Sequence, residues 1–202
     1  SPALPQALVD RLRVQAERLC VPFQVLAPLP PEMQAITLTV MAARADGIDP
    51  SYAIDNVLAG LARGLKKPVV SLETPESQLD AVRSENEKEA VSMVEKSLAD
   101  LESDRARSMI RRIADVWAEG RLDELQRYEQ WCDCASTEED RRSMRRLLDD
   151  RNPHLAERIA AIHEGGQTVF AAVGSLHMIG PGGVPALLAK KGYRVERVEF
   201  PH

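Results

Sequence analysis

The segment Thr168-Val-Phe-Ala-Ala-Val-Gly-Ser-Leu-His177 constrains this chain more than any other, because an apolar run stops at Gly174 and delivers a histidine three residues later. A short β-branched and aromatic run bounded by Gly165-Gly166 and Gly174 predicts a buried strand. Gly174 lets the backbone turn as that strand ends, which puts His177 at the carboxyl edge of a sheet, where open α/β folds bind ligands. Two readings of His177 follow: a metal ligand or general base in a pocket, or a histidine packed under the next loop.

The remaining elements are read from period and punctuation. Leu8, Leu12 and Leu19 alternate with charged residues in a helix over 5–19 that Pro22 ends. Phe23 to Leu26 reads as a short extended piece, and Pro28 to Pro31 as a linker. Met33, Ile36, Leu38, Val40 and Met41 make an apolar, largely buried helix stopped near Gly47. Asp49-Pro50 starts another helix, on which Ile54, Val57, Leu58, Leu61 and Leu65 keep a 3.6-residue period. Pro68-Val-Val-Ser-Leu72 is a second strand, ending at Glu73, and Tyr193 to Phe200 alternates as a third at a sheet edge.

From 75 to about 150 the pattern is helical and highly charged, a helical insertion whose ion pairs are read as a solvated face. Arg151-Asn152-Pro153 then opens a helix carrying Leu155, Ile159 and Ile162, ended by Gly165-Gly166. The glycines of Gly180-Pro-Gly-Gly183 could cradle an anion, but no Lys-Ser/Thr pair follows them, which favours a tight turn. His154 and His163 read as structural or surface residues. The expected fold class is α/β, mostly helical, with a small central mixed or parallel sheet flanked by helices. It is expected to form one domain over 1–202 containing the insertion over 75–150.

Charge narrows the partners. The 26 basic and 31 acidic residues leave a net charge of -5, and no basic patch interleaves with aromatics, so nucleic acid is not an expected partner. No run approaches the roughly 20 apolar residues that span a bilayer, although a signal could have preceded Ser1. The three cysteines cannot all pair within one chain. A bond from Cys20 to Cys132 or Cys134 would close a loop of more than a hundred residues, worth about 4 to 5 kcal/mol on the chain-entropy model, and would fit an oxidising compartment. Zinc at Cys132-Asp-Cys134 is disfavoured by the spacing and by the lack of a second ligand pair nearby.

Several of these features fall into one order: Ala53-Ile-Asp55, Val70-Ser-Leu-Glu73-Thr with Gln78 following, Val116-Trp-Ala-Glu-Gly120, Arg151-Asn152, Gly174-Ser-Leu-His177 with Gly180, and Gly192-Tyr193. That order resembles the TraB/GumN family, whose animal relatives are the TIKI metalloproteases. The likeness runs from about Pro31 to Val198. One departure stands out: the family pattern has a first Gly-x-x-His on an amino-terminal strand, and no such segment occurs in this sequence.

The resemblance implies a hydrolase of the bacterial cell envelope or periplasm, dependent on a divalent metal such as Mn, Co or Zn, cutting an amide or ester in a peptide or small molecule. In that reading His177 is a metal ligand or general base, and Glu73 ligates the metal or takes a proton. Arg151 pairs with an anionic group or holds Glu73, while Asp55, Asn152 and Gly174 play supporting parts. With the first histidine motif missing, the chain alone is expected to be inactive and to pair through an exposed sheet edge as a homodimer. The alternative is a non-catalytic accessory protein that binds a small molecule, haem or a polysaccharide precursor on the same scaffold.

Overall fold

The periodic segments fold as helices, and the computed structural model, which describes residues 4–199, resolves eleven of them. They are α1 (Gln6–Arg18), α2 (Phe23–Leu26), α3 (Pro31–Ala42), α4 (Ile54–Gly64), α5 (Pro75–Val82), α6 (Glu87–Glu102), α7 (Arg105–Ala118), α8 (Leu122–Gln126), α9 (Glu138–Leu147), α10 (Asn152–Glu164) and α11 (Val184–Lys190). The chain divides into two compact units, Ser1–Val69 with Val82–Gly120, and Val70–Ala81 with Arg121–His202.

In the first unit the buried positions recur every three to four residues: Leu8, Leu12 and Ala16 on α1, and Ala90, Val94, Leu98 and Leu101 on α6. These stripes meet Ala35, Leu38 and Ala42 of α3 and Ala106 of α7 in one core. Fully burying each large side chain contributes about 1.5–3 kcal/mol. Local chemistry sets the ends. Asn86 accepts from the Glu89 amide as the cap of α6, and Asp46 accepts a two-pronged bond from Arg107 of α7 and a third from Arg111. That bonding, led by Arg107, lowers the Asp46 pKa to about 2. Leu98→Ala is expected to destabilise this unit by about 3 kcal/mol, because it empties a site closed on all sides. Chemical denaturation followed by circular dichroism would measure the loss.

In the second unit α10 packs on α11 around Leu155, Ala156 and Val184, with Leu72, Ile159, Val173, Leu187 and Leu188 at the margin. Thr137 opens α9 with a reciprocal capping box to Asp140.

The expected sheet is absent: among the described residues there is no strand, and the fold is all-helical rather than α/β. The three segments read as strands do run without helix, but no ladder joins them, and Phe170 is 81% exposed. Their composition favours an extended backbone, whereas a ladder also needs a neighbour about 4.8 Å away in register. Phe200, at the end of the third segment, lies outside the described residues. Two other expectations also change. Phe23–Leu26 is one helical turn rather than extended, entered through Pro22. The helix expected from Pro50 begins as a 3-10 turn over Pro50–Tyr52, capped by Asp49, before α4. The apolar face of α4 has the expected period yet stays open, with Leu61 59% exposed.

Candidate active site

Arg151 ends the turn after α9, and Asn152 is the first residue of α10, immediately before Pro153. Proline is favoured in a helix's first turn because its missing N–H would have no partner there, so the Asn-Pro pair sets the start of α10. Asn152 is nonetheless 2% exposed, unlike an ordinary helix-start residue. Its Nδ2 donates to the Gly182 carbonyl at 2.9 Å, which turns its Oδ1 toward His177 Nδ1 at 2.6 Å.

That pairing determines the imidazole tautomer. Because Asn152 Oδ1 can only accept, Nδ1 of His177 carries the proton, and Nε2 keeps its lone pair. His177 is 7% exposed and sits in a 3-10 turn over Ser175–Met178, directly after Gly174. It therefore ends the apolar run as expected, although no sheet edge holds it. Burial, followed by the charge of Arg151, pushes its pKa below the usual value, while Glu73 acts in the opposite direction. The ring is neutral at pH 7.

Glu73 and Arg151 form the second half of the site. Arg151 Nε reaches Glu73 Oε1 at 2.8 Å and Nη2 reaches Oε2 at 2.6 Å, a fork-on-carboxylate pair, while Nη1 donates to the Leu147 carbonyl. The Glu73 side chain is 8% exposed. The Arg151 hydrogen bond holds its pKa below the usual carboxylate range against the opposing effect of burial, and the Gln78 side chain and His177 act in the same direction as Arg151. Both charges of the pair act on the imidazole, so the four side chains make one electrostatic unit.

The Gly180–Gly183 loop is the tight turn that the sequence favours. Gly180 takes φ +72°, and the Gly183 amide bonds back to the Gly180 carbonyl. A β-carbon on Gly183 would lie 2.4 Å from the Ile179 carbonyl oxygen and 3.0 Å from that residue's N and C. The loop must close this tightly to present the Gly182 carbonyl to Asn152. Gly183→Ala is expected to cost about 1–3 kcal/mol, because the clash is with backbone. A guanidinium melt of the variant would check this.

Glu73, Arg151, Asn152 and His177 thus converge within one unit, while residues 116–120 of the ordered set belong to the other. The model of the TraB/PrgY/gumN family matches residues 1–197.

The chain belongs to the TraB/PrgY/gumN family.

No curated protein and no solved structure matches it. Within this family member, His177, Glu73, Arg151 and Asn152 come together. Gly174 lies beside the imidazole, its absent β-carbon 3.6 Å from His177 Cδ2. Asp55 belongs to the other unit, exposed in the first turn of α4. Asn152 carries more of the site than its sequence context suggests, and the available signal was its place directly after Arg151. The cysteines also pair differently from the long-loop alternative: Cys132 bonds Cys134, and Cys20 is free and exposed. No helix among the described residues is long and apolar enough to cross a membrane.

Proposed function

We propose that this family member is a hydrolase of amide or ester bonds acting in the cell envelope, with His177 as general base. The observation that carries the reading is the Asn152 Oδ1 to His177 Nδ1 bond, which leaves Nε2 unprotonated on a neutral, buried ring. A water at Nε2 would give up its proton there as its oxygen attacks a carbonyl carbon. The imidazolium so formed keeps its Nδ1–H bond to Asn152, with the Glu73 carboxylate favouring it and the Arg151 charge opposing it, and it can return the proton to the leaving group. Arg151 has one N–H left on each of Nη1 and Nη2 after its bonds to Leu147 and Glu73, and these can meet an anionic group or a developing oxyanion.

A divalent metal fits these residues poorly. His177 offers one nitrogen, both Glu73 oxygens already accept from Arg151, and among the described residues no group of three donors converges. Catalytic zinc sites ordinarily have three protein ligands, so Mn, Co or Zn would need ligands from outside the described residues. The general-base reading needs none. An oxidising envelope compartment agrees with the Cys132–Cys134 bond. Exposed, unpaired apolar residues such as Phe170 and Val198 support self-association. A concentration-independent monomer mass would count against self-association.

The test is a screen of nitrophenyl esters and peptide pools with the native protein, His177→Gln and Asn152→Ala, with and without chelator. Turnover that falls by about 10²- to 10⁴-fold in His177→Gln and survives chelation supports the reading. Turnover indifferent to His177, or ligand binding without turnover, would sink it, the latter in favour of an accessory protein. Calorimetric titration of Mn, Co and Zn into wild type and His177→Ala tests the metal directly.

A further inference from the structure

We infer that the Cys132–Cys134 bridge is a thiol–disulfide exchange site, reduced by a dithiol, rather than a structural staple. A bridge stabilises a fold mainly by closing a loop, and the effect grows with loop length. This bridge spans a sequence separation of only 2. It ties no element to another, since Cys132, Asp133 and Cys134 all lie in the turn between Tyr128–Gln130 and α9. The middle residue carries a cost: Asp133 stands at φ +51°, in the left-handed region that a side chain with a β-carbon disfavours. Both cysteines are partly exposed. A bridge that closes almost no chain, holds a non-glycine residue left-handed and is open to solvent has the features of a reducible disulfide.

The geometry also assigns the order of the sulfurs. The Cys134 amide N–H donates to Cys132 Sγ at 3.2 Å. It stabilises negative charge on that sulfur, making Cys132 the better leaving thiolate. One thiolate of the dithiol attacks Cys134 Sγ. A bond forms between those sulfurs, the Cys132–Cys134 bond breaks, and its electron pair leaves with Cys132. The second thiolate of the reductant then attacks its own partner sulfur and expels Cys134 as thiolate, closing the reductant's disulfide. Two electrons pass to the protein, and the two protons lost by the dithiol end on Cys132 and Cys134.

Downstream of the bridge, Arg141 Nη1 of α9 donates to the Ala135 carbonyl. The capping box at Thr137 and Asp140 does not involve the bridge, so α9 should persist after reduction.

The test uses the full chain with Cys20→Ser, so that only the pair can react. Oxidised protein is equilibrated under native conditions with graded mixtures of reduced and oxidised glutathione, and separately with dithiothreitol. It is then alkylated with N-ethylmaleimide and weighed by mass spectrometry, with circular dichroism in parallel. The expected result is no adduct before reduction, two adducts per chain after dithiothreitol, unchanged helical signal, and one adduct in the Cys132→Ser control. Acid quenching after brief exposure to glutathione should trap the mixed disulfide on Cys134. A bridge that resists both reductants until the protein is unfolded, loss of helical signal on reduction, or two adducts before any reductant is added would overturn the inference. Trapping on Cys132 would overturn the order of the sulfurs.

Discussion

Glu73→Gln is expected to destabilise the second unit by about 2–3 kcal/mol, and Arg151→Met by a similar amount. Each leaves the other member of a nearly buried, doubly hydrogen-bonded pair without its partner. The double variant Glu73→Gln/Arg151→Met should lose less than the sum of the singles, because no orphaned charge remains. The chain has two tryptophans, and in a Trp117→Phe background Trp131 is the only one left, so its fluorescence during guanidinium unfolding reports this unit alone. Additive losses in the cycle would mean that the two charges do not stabilise each other.

The pair also determines a pH response. The folded-state pKa of Glu73 is below its ordinary value of 4.5, so the stability it contributes is complete above that value and is lost as pH falls through the lowered one. His177 works in the same direction. Its pKa is depressed from 6.5, so the unfolded chain binds the proton first, and stability declines as pH falls below 6.5 toward the folded value. The second unit should therefore weaken in two acid steps, the histidine's before the glutamate's. Glu73→Gln should shrink the lower step, to which Glu76 and Glu138 also contribute, and keep the upper.

Asn152→Asp should have the largest effect on the chemistry of the site. A carboxylate in place of the amide oxygen 2.6 Å from Nδ1 favours the imidazolium and should raise the His177 pKa by about 1 unit or more. The base would then need a higher pH to be free of its proton, and any His177-dependent turnover should move its acid limb upward by the same amount. Asn152→Ala instead removes the acceptor, frees the tautomer, and leaves the Gly182 carbonyl and the Nδ1 proton unsatisfied, costing about 1–3 kcal/mol. Nitrogen-15 NMR of the imidazole reads both effects without a substrate. A His177 titration unchanged in Asn152→Asp would refute the assigned pairing.

What could be read in advance follows from the range of the forces involved. The helices α1, α6 and α10 were legible because burial on one helical face imposes a period of 3.6, visible within a dozen residues. The family was legible from an ordered pattern that includes Glu73, Arg151 and His177, and the match over residues 1–197 bears out that membership. The end of the apolar run at Gly174, followed by a histidine, was also local.

The partners of those residues were not legible. Val70, Val169 and Val173 have the composition of strands, but pairing depends on a second segment arriving in register, and among the described residues none does. The bond between Asn152 and His177 joins residues 25 positions apart, and the one between Arg151 and Glu73 joins residues 78 apart. Nothing in either neighbourhood encodes such a distance. An asparagine before proline looks like a cap from sequence alone. It becomes the orienting partner of His177 only when the Gly180–Gly183 turn brings the Gly182 carbonyl to its amide. Sequence by itself determined most of the helical segments and nominated His177, Glu73 and Arg151 as site residues. The tertiary structure decided which of them meet, because hydrogen bonds and ion pairs act only at contact distance, and packing sets those contacts.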